Sequence, residues 1–250
     1  MNPYALLDPA VALLHRLLVL VAAAVPAGGS GPRFAVALAV VTVAVRAALL
    51  PLAVRALRQR RARAALEPRL AALRHRHAQD PQRLLTETAR LHREAGVPLS
   101  AGIGTGLAQL PVLATVYRLV VVPTVAGSPN LLLTARLFGA PMAAHWPEVL
   151  AAAGMVSPAA LALVLLLGGL LVLATLSARE VDRSLPAAAG DHGAVSRDGT
   201  VRTVHGLLRL LPYATVVVAL VTPVAMGGYL LVSTAWSVAE RRLLPRFVPA

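Results

Sequence analysis

The chain alternates long apolar runs with short polar ones. The first apolar run long enough to cross a bilayer, Phe34 to Val54, reads FAVALAVVTVAVRAALLPLAV and carries one arginine, Arg46. As a helix these 21 residues rise roughly 31 Å, close to the hydrocarbon thickness of a bilayer. The same criterion predicts spans at about 101–122 and 158–178. The apolar stretch from His205 to about Ala239 is too long for one span. Thr222-Pro223 divides it into two, 206–222 and 224–240, joined by a tight turn. Ahead of the first span, Leu6, Leu13, Leu17, Leu20 and Ala24 recur at helical spacing, with Asp8 and His15 to one side. That pattern predicts an amphipathic helix lying in the membrane interface, which with its Gly-rich linker fills residues 1–32; a sixth span, reversing the side of the N-terminus, is the alternative.

The polar intervals orient the spans. Residues 55–98 hold eleven arginines against four acids and therefore belong in the cytoplasm. Leu66, Leu70 and Leu73 form one apolar stripe and Leu84, Thr88, Leu91 and Ala95 another, with the helix-starting pair Asp80-Pro81 between them and Gly96 as a stop. This interval is predicted to be a helical hairpin standing on the membrane. Residues 124–157 carry one arginine and one acid, as an outer loop does, and the short apolar pieces NLLLTARLF and MAAHWPEVLAA read as interfacial. Residues 179–204, rich in Gly, Asp and Ser, read as a flexible cytoplasmic loop. The tail after Ala239 carries Arg241, Arg242 and Arg246. The expected fold is all-α: a polytopic membrane protein whose five-span core fills residues 33–250, with the N-terminus outside and the C-terminus cytoplasmic.

Composition changes the picture in three ways. A hydrophobic content of 57% and a mean hydropathy of +0.70 exclude an ordinary soluble domain. The net charge of +13 comes from arginine alone, without a single lysine, which reads as the codon habit of a GC-rich genome combined with the positive-inside bias. The absence of cysteine excludes disulfides, thiolate metal sites and thiol nucleophiles. The N-terminus lacks the basic start of a signal peptide, so no cleavage is expected. The seven histidines show no HExxH spacing, and GxxxxGK[ST] does not occur, so neither an enzyme, a metal nor a nucleotide cofactor is expected. GGSG at 28–31 matches the GxSG of intramembrane serine proteases but lies in a linker, with no partner histidine in another apolar segment.

Arg46 is the chemically demanding residue. Its guanidinium cannot shed its proton, and at mid-membrane it costs between about 3 and 10 kcal/mol, depending on how far water relieves it. It either snorkels to the headgroups or faces a wet, polar cavity, which Thr42, one turn earlier on the same face, favours. Gly102, Thr105, Gln109, Val112 and Val116 share a small, polar face of the second span, which serves close helix packing or lines the same cavity. Thr222, Met226, Tyr229, Ser233 and Trp236 share a face of the last. Arg118, near the far end of the second span, is expected to snorkel outward.

Taken in order, Arg46 with Leu50-Pro51, Leu66-Glu67-Pro68-Arg69-Leu70 in a basic hairpin, Gly96 and Pro98, Gln109, Pro111 and Tyr117, then Pro212, Pro223 to Gly227, Tyr229, Ser233 and Trp236, form a set that resembles the YidC family of membrane protein insertases over roughly Asp8 to Leu244. The layout is similar to the short, Gram-positive or actinobacterial type. Departures are Val97 where asparagine is common, Pro-Val-Ala-Met-Gly at the last turn, and Glu240 where glutamine is frequent. The resemblance implies a plasma-membrane insertase and chaperone with a hydrophilic groove, open to the cytoplasm and to lipid, lined by Arg46, Thr42, Thr105, Gln109, Tyr229, Ser233 and Trp236. Its implied partners are nascent membrane proteins and the bilayer, with the Sec translocon and the ribosome beside them and no specific nucleic-acid sequence. The rival readings are a small transporter or channel, disfavoured because no acid lies inside the five spans, Glu148 and Glu240 being flanking, and a membrane-anchored nucleic-acid binder, disfavoured because the arginine hairpin holds no aromatic residue to stack on bases.

Overall fold

The computed structural model describes residues 5–26, 29–96, 109–184 and 198–248. A single 3-10 turn, Ala5–Leu7, leads into α1 (Asp8–Ala24), α2 (Ser30–Ala48), α3 (Leu50–Arg76), α4 (Pro81–Glu94) and α5 (Gln109–Val121). Two small hairpins follow, β1 (Thr124–Val125) with β2 (Ser128–Pro129), and β3 (Arg136–Leu137) with β4 (Ala140–Pro141), separated by the one-turn α6 (Leu131–Thr134). Then come α7 (Trp146–Ala153), α8 (Pro158–Ser184), α9 (Asp198–Val221) and α10 (Val224–Phe247). The helices fall into two compact units. One comprises Met1–Arg46 with Ala114–Glu240, the other Ala47–Leu113 with Arg241–Ala250.

In the larger unit α8 packs against α9, and against α7 at its start. Ala159, Ala160, Leu163, Leu170, Ala174 and Ala178 are buried on one side of α8, while Leu161, Val164, Leu165, Leu171 and Val172 stay exposed on the other. A helix apolar all round whose outer face is uncovered by protein is a helix built for lipid. Among the described residues, Ser30–Ala48 and Pro158–Glu180 are long and apolar enough to cross a membrane, and Leu110–Val121 and Arg209–Val221 are shorter apolar helices. On α1 the leucines Leu13, Leu17 and Leu20 are exposed, as is Leu6 in the turn before it, and the opposite face of α1, Val11, Leu18 and Ala22, is buried.

Proline decides where two helices break. Pro223 has no N–H to continue α9, so the chain turns and α10 begins with Val224. The first amides of α10 are satisfied from outside the helix: Val224 donates to the Ala144 carbonyl at 3.1 Å and Ala225 to that of Met142 at 3.0 Å. Trp146, Val149, Ala159, Leu163 and Val224 close over this junction as one apolar cluster. Pro51 acts in the same way at the start of α3. The apolar run 34–54, expected as one helix, is α2 as far as Ala48, a turn at Leu49, and then α3, because the Pro51 ring obstructs the carbonyl four residues earlier. α2 also starts at Ser30, inside the expected linker.

Of the flexible loop expected over 179–204, both ends are helical: residues 179–184 and 198–204. α8 continues to Ser184, its extension beyond the apolar part carried by Ala178, Arg179, Glu180 and Arg183, and α9 begins at Asp198. Residues 185–197, like Thr105 and the first part of the predicted second span, lie outside the described residues.

The β-hairpins were not foreseen. Each has a two-residue loop with both residues at positive φ, Ala126 (50°) with Gly127 (80°) and Phe138 (51°) with Gly139 (91°), the geometry that matches the twist of paired strands. Asn130 ties this region to α5. Its side-chain amide, 2% exposed, donates to the carbonyls of Leu119 at 2.6 Å and Val122 at 3.0 Å, and its Oδ1 accepts from the Leu132 amide at 3.2 Å. One side chain thus caps the end of α5 and the start of α6.

In the smaller unit α3 and α4 form the predicted hairpin. The Asp80 carboxylate accepts from the Arg83 amide at 3.0 Å, Pro81 occupies the first turn, and Gly96 ends the segment at a φ of 64°. Leu66 and Leu70 bury against Leu91. Leu73, expected in the same stripe, lines a neighbouring cleft with Arg69, Arg76 and Arg90. Arg61 holds the chain's last helical turn, donating to the carbonyls of Val248 at 2.7 Å and Pro245 at 3.1 Å. These are carbonyls that a helix end leaves without an internal partner.

Candidate intramembrane polar site

The polar site grows from the end of α2. Because that helix stops at Ala48, Arg46 stands in its last turn, where the helix's carbonyl end favours a cation by about 0.3–1 kcal/mol. Its Nη2 donates to the hydroxyl of Ser233 on α10, 187 residues away in the chain. Thr42 is buried one turn earlier, and its Oγ1 donates to the Leu38 carbonyl at 2.6 Å. That bond spends the hydroxyl's proton on its own helix and leaves the oxygen's lone pairs for another donor.

α10 supplies the facing side. Tyr229 and Ser233, one turn apart, are buried, and Ser237 donates from its hydroxyl to the Ser233 carbonyl at 2.9 Å. Half-buried Trp236 donates its indole N–H to Glu240 Oε2 at 2.9 Å. Close packing supports this helix: Leu231 Cδ1 fills the space where a Cβ on Gly169 would stand, 3.0 Å away, and Leu166 lies 3.2 Å from such a position at Gly227.

The charge at the centre is only partly answered. Among the described residues no carboxylate pairs with Arg46, and a serine hydroxyl supplies a dipole rather than a counter-charge. Such an arrangement can solvate a cation while leaving its positive field available to an incoming anion.

Of the seven residues predicted for the site, Arg46 and Ser233 meet directly, while Thr42 lies one turn from Arg46 on α2, and Tyr229 and Trp236 lie one turn either side of Ser233 on α10. Gln109 opens α5, but its side chain, like Thr105 as a whole, lies outside the described residues. Glu240 was read as merely flanking; the Trp236–Glu240 spacing of four on one helix is the signal that could have paired them. Arg118 has a partner that was not foreseen. It pairs with Asp8 of α1, Nε to Oδ1 at 2.9 Å, with its side chain only 18% exposed.

Comparison with known proteins gives this arrangement a setting. The family model described as 60Kd inner membrane protein matches residues 27–249. Membrane protein insertase YidC 1 of Halalkalibacterium halodurans is 37% identical over 89 residues, which is 34% of this chain and 35% of that protein. Inner membrane ALBINO3-like protein 2, chloroplastic, of Chlamydomonas reinhardtii is 39% identical over 82 residues, or 33% of this chain and 19% of that protein. Membrane protein insertase YidC of Granulibacter bethesdensis is 33% identical over 89 residues, 36% of this chain and 15% of that protein. In each case the match spans well under two thirds of the relative's length.

Proposed function

From the premise that this chain belongs to the 60Kd inner membrane protein family, the family of YidC and the ALBINO3-like proteins, we propose that it is a membrane protein insertase of a bacterial plasma membrane. Its five spans place the N-terminus outside and the C-terminus and the α3–α4 hairpin in the cytoplasm. Its working part is a hydrated groove around Arg46, Thr42, Tyr229, Ser233 and Trp236, with Thr105 and Gln109 on its second-span side. The observation that carries this reading is the Arg46–Ser233 contact: a permanent cation on an apolar helix, held by a hydroxyl and left without a paired carboxylate among the described residues.

The mechanism follows from desolvation. A polar flank of a nascent protein crosses less hydrocarbon when water around Arg46 replaces part of it, so the barrier falls without any nucleotide. An acidic flank is drawn toward Arg46. It is released outward as the adjoining apolar helix of the substrate partitions into lipid, at about 25 cal/mol per Å² of apolar surface removed from water. The apolar faces of α8 and α2, including Leu165, Val172, Val36 and Val40, are exposed and offer a lipid-facing surface for that exchange. Substrates here are nascent membrane proteins, received from the ribosome or beside the Sec translocon, with chaperoning of the inserted helices as the second task.

The test is complementation. Cells depleted of their own insertase receive wild type or Arg46→Ala, and insertion of a small Sec-independent protein with an acidic translocated segment is followed by protease protection. Wild type is expected to restore insertion and Arg46→Ala to lower it about tenfold, the scale of one hydrogen-bonded charge. Wild type that reaches the membrane but restores nothing would refute the insertase reading, and full activity of Arg46→Ala would refute the electrostatic role of the groove.

A further inference from the structure

α10 also carries an acid that the mechanism above does not use, followed directly by Arg241 and Arg242. Glu240 lies seven residues beyond Ser233 on α10, about 10 Å along the helix axis. Residues 229, 233, 236 and 240, spaced by four, three and four, fall on one face of that helix. The face therefore carries in sequence a buried tyrosine, the hydroxyl that holds Arg46, an indole, and a carboxylate bonded to that indole. An indole N–H is donor only, and the 2.9 Å bond to Oε2 gives that donor its partner and fixes both side chains.

We propose that Glu240 sets the charge preference of the insertion site: anchored by Trp236, its carboxylate places a negative charge two turns along α10 from Ser233, the residue that holds Arg46, so that a substrate flank meets fixed charges of opposite sign at these two points. This rests on the insertase reading above. An acidic flank attracted by Arg46 is opposed at Glu240, and a basic residue beside it is favoured there. At roughly 10 Å and an effective dielectric between those of protein and water, one such charge changes the relative occupancy of acidic and basic flanks by about fivefold.

The full-length protein, reconstituted in phosphatidylethanolamine–phosphatidylglycerol vesicles, is given two single-span substrates identical but for three flanking residues, aspartates in one and arginines in the other. The readout is the ratio of acidic to basic substrate inserted, in which the amount of folded insertase cancels. Glu240→Gln keeps an acceptor for the indole and removes the charge, so the ratio is expected to rise about fivefold. Glu240→Ser, a second neutral variant, is expected to raise it as well, and Glu240→Asp to keep the wild-type ratio. A ratio unchanged in both neutral variants, or equal loss of both substrates, overturns the proposal. Wild-type vesicles that insert neither substrate above protein-free vesicles overturn the insertase reading itself, and the role of Glu240 with it.

Discussion

A glycine with ordinary backbone geometry is held in place by its neighbours when there is no room for a methyl group, and Gly31 is such a residue. A Cβ there would stand 1.8 Å from the Arg136 carbonyl oxygen and 2.8 Å from the Leu137 nitrogen, so the start of α2 lies against the backbone of β3. In an exposed helix, replacing glycine by alanine gains roughly 1 kcal/mol. Here the overlap is with backbone, which cannot rotate away, and forcing it apart costs about 1–3 kcal/mol or more. The second effect wins. Gly31→Ala is expected to lower the thermal midpoint of the detergent-solubilised protein and to speed proteolysis between Arg136 and Pro141; a midpoint at or above wild type would show that α2 and the hairpin are not packed this way. The glycine itself was visible in the sequence as part of PAGGSGP, but its partner lies more than a hundred residues on, and nothing local announces such an approach. The same holds for Arg46 and Ser233. Each residue was legible as a polar group on an apolar helix, while the contact between them belongs to tertiary structure.

Elements were legible where their boundaries are chemical. Asp80-Pro81, Gly96 and the leucine stripes announce the α3–α4 hairpin, because capping and helical periodicity are local properties. Thr222-Pro223 likewise marks the division of α9 from α10. The break at Leu49 was missed although Pro51 causes it, because the run 34–54 stays apolar throughout and hydropathy does not register a lost N–H. Two-residue strands show no alternation to read, and loops that begin with Ala126 or Phe138 lack the usual glycine or asparagine in the first position. Asn130 is what organises that hidden region, and its contribution can be measured. Asn130→Ala removes bonds to the carbonyls of Leu119 and Val122 and to the Leu132 amide, leaving buried polar groups unanswered at about 1–3 kcal/mol for the first of them. The variant is expected to unfold at lower denaturant and to exchange the amides of Asn130 to Leu133 faster, whereas Asn130→Asp, which keeps the cap on Leu132 alone, is expected to recover only part of the loss. Equal protection in wild type and Asn130→Ala would mean that the caps are made some other way.

At the scale of the whole molecule, charge and chemistry of the loops converge on one orientation. The hairpin unit carries the arginines, while the segment from Thr124 to Ser157 carries few charges and folds back to cap the first amides of α10. The positive-inside rule leads to the expectation that the hairpin is cytoplasmic and the segment from Thr124 to Ser157 is not. The absence of cysteine makes this directly measurable, since any introduced thiol is the single reactive one. Gln79 is exposed at the turn between α3 and α4, and Val156 is fully exposed between α7 and α8. In intact cells a membrane-impermeant maleimide is expected to label Val156→Cys and to leave Gln79→Cys unmodified until the membrane is opened. The reverse pattern would turn the chain over and place the Arg46 site nearer the wrong face for a substrate arriving from the ribosome. Labelling of both from outside would remove the α3–α4 hairpin from the cytoplasm and, with it, the charge asymmetry that orients the spans.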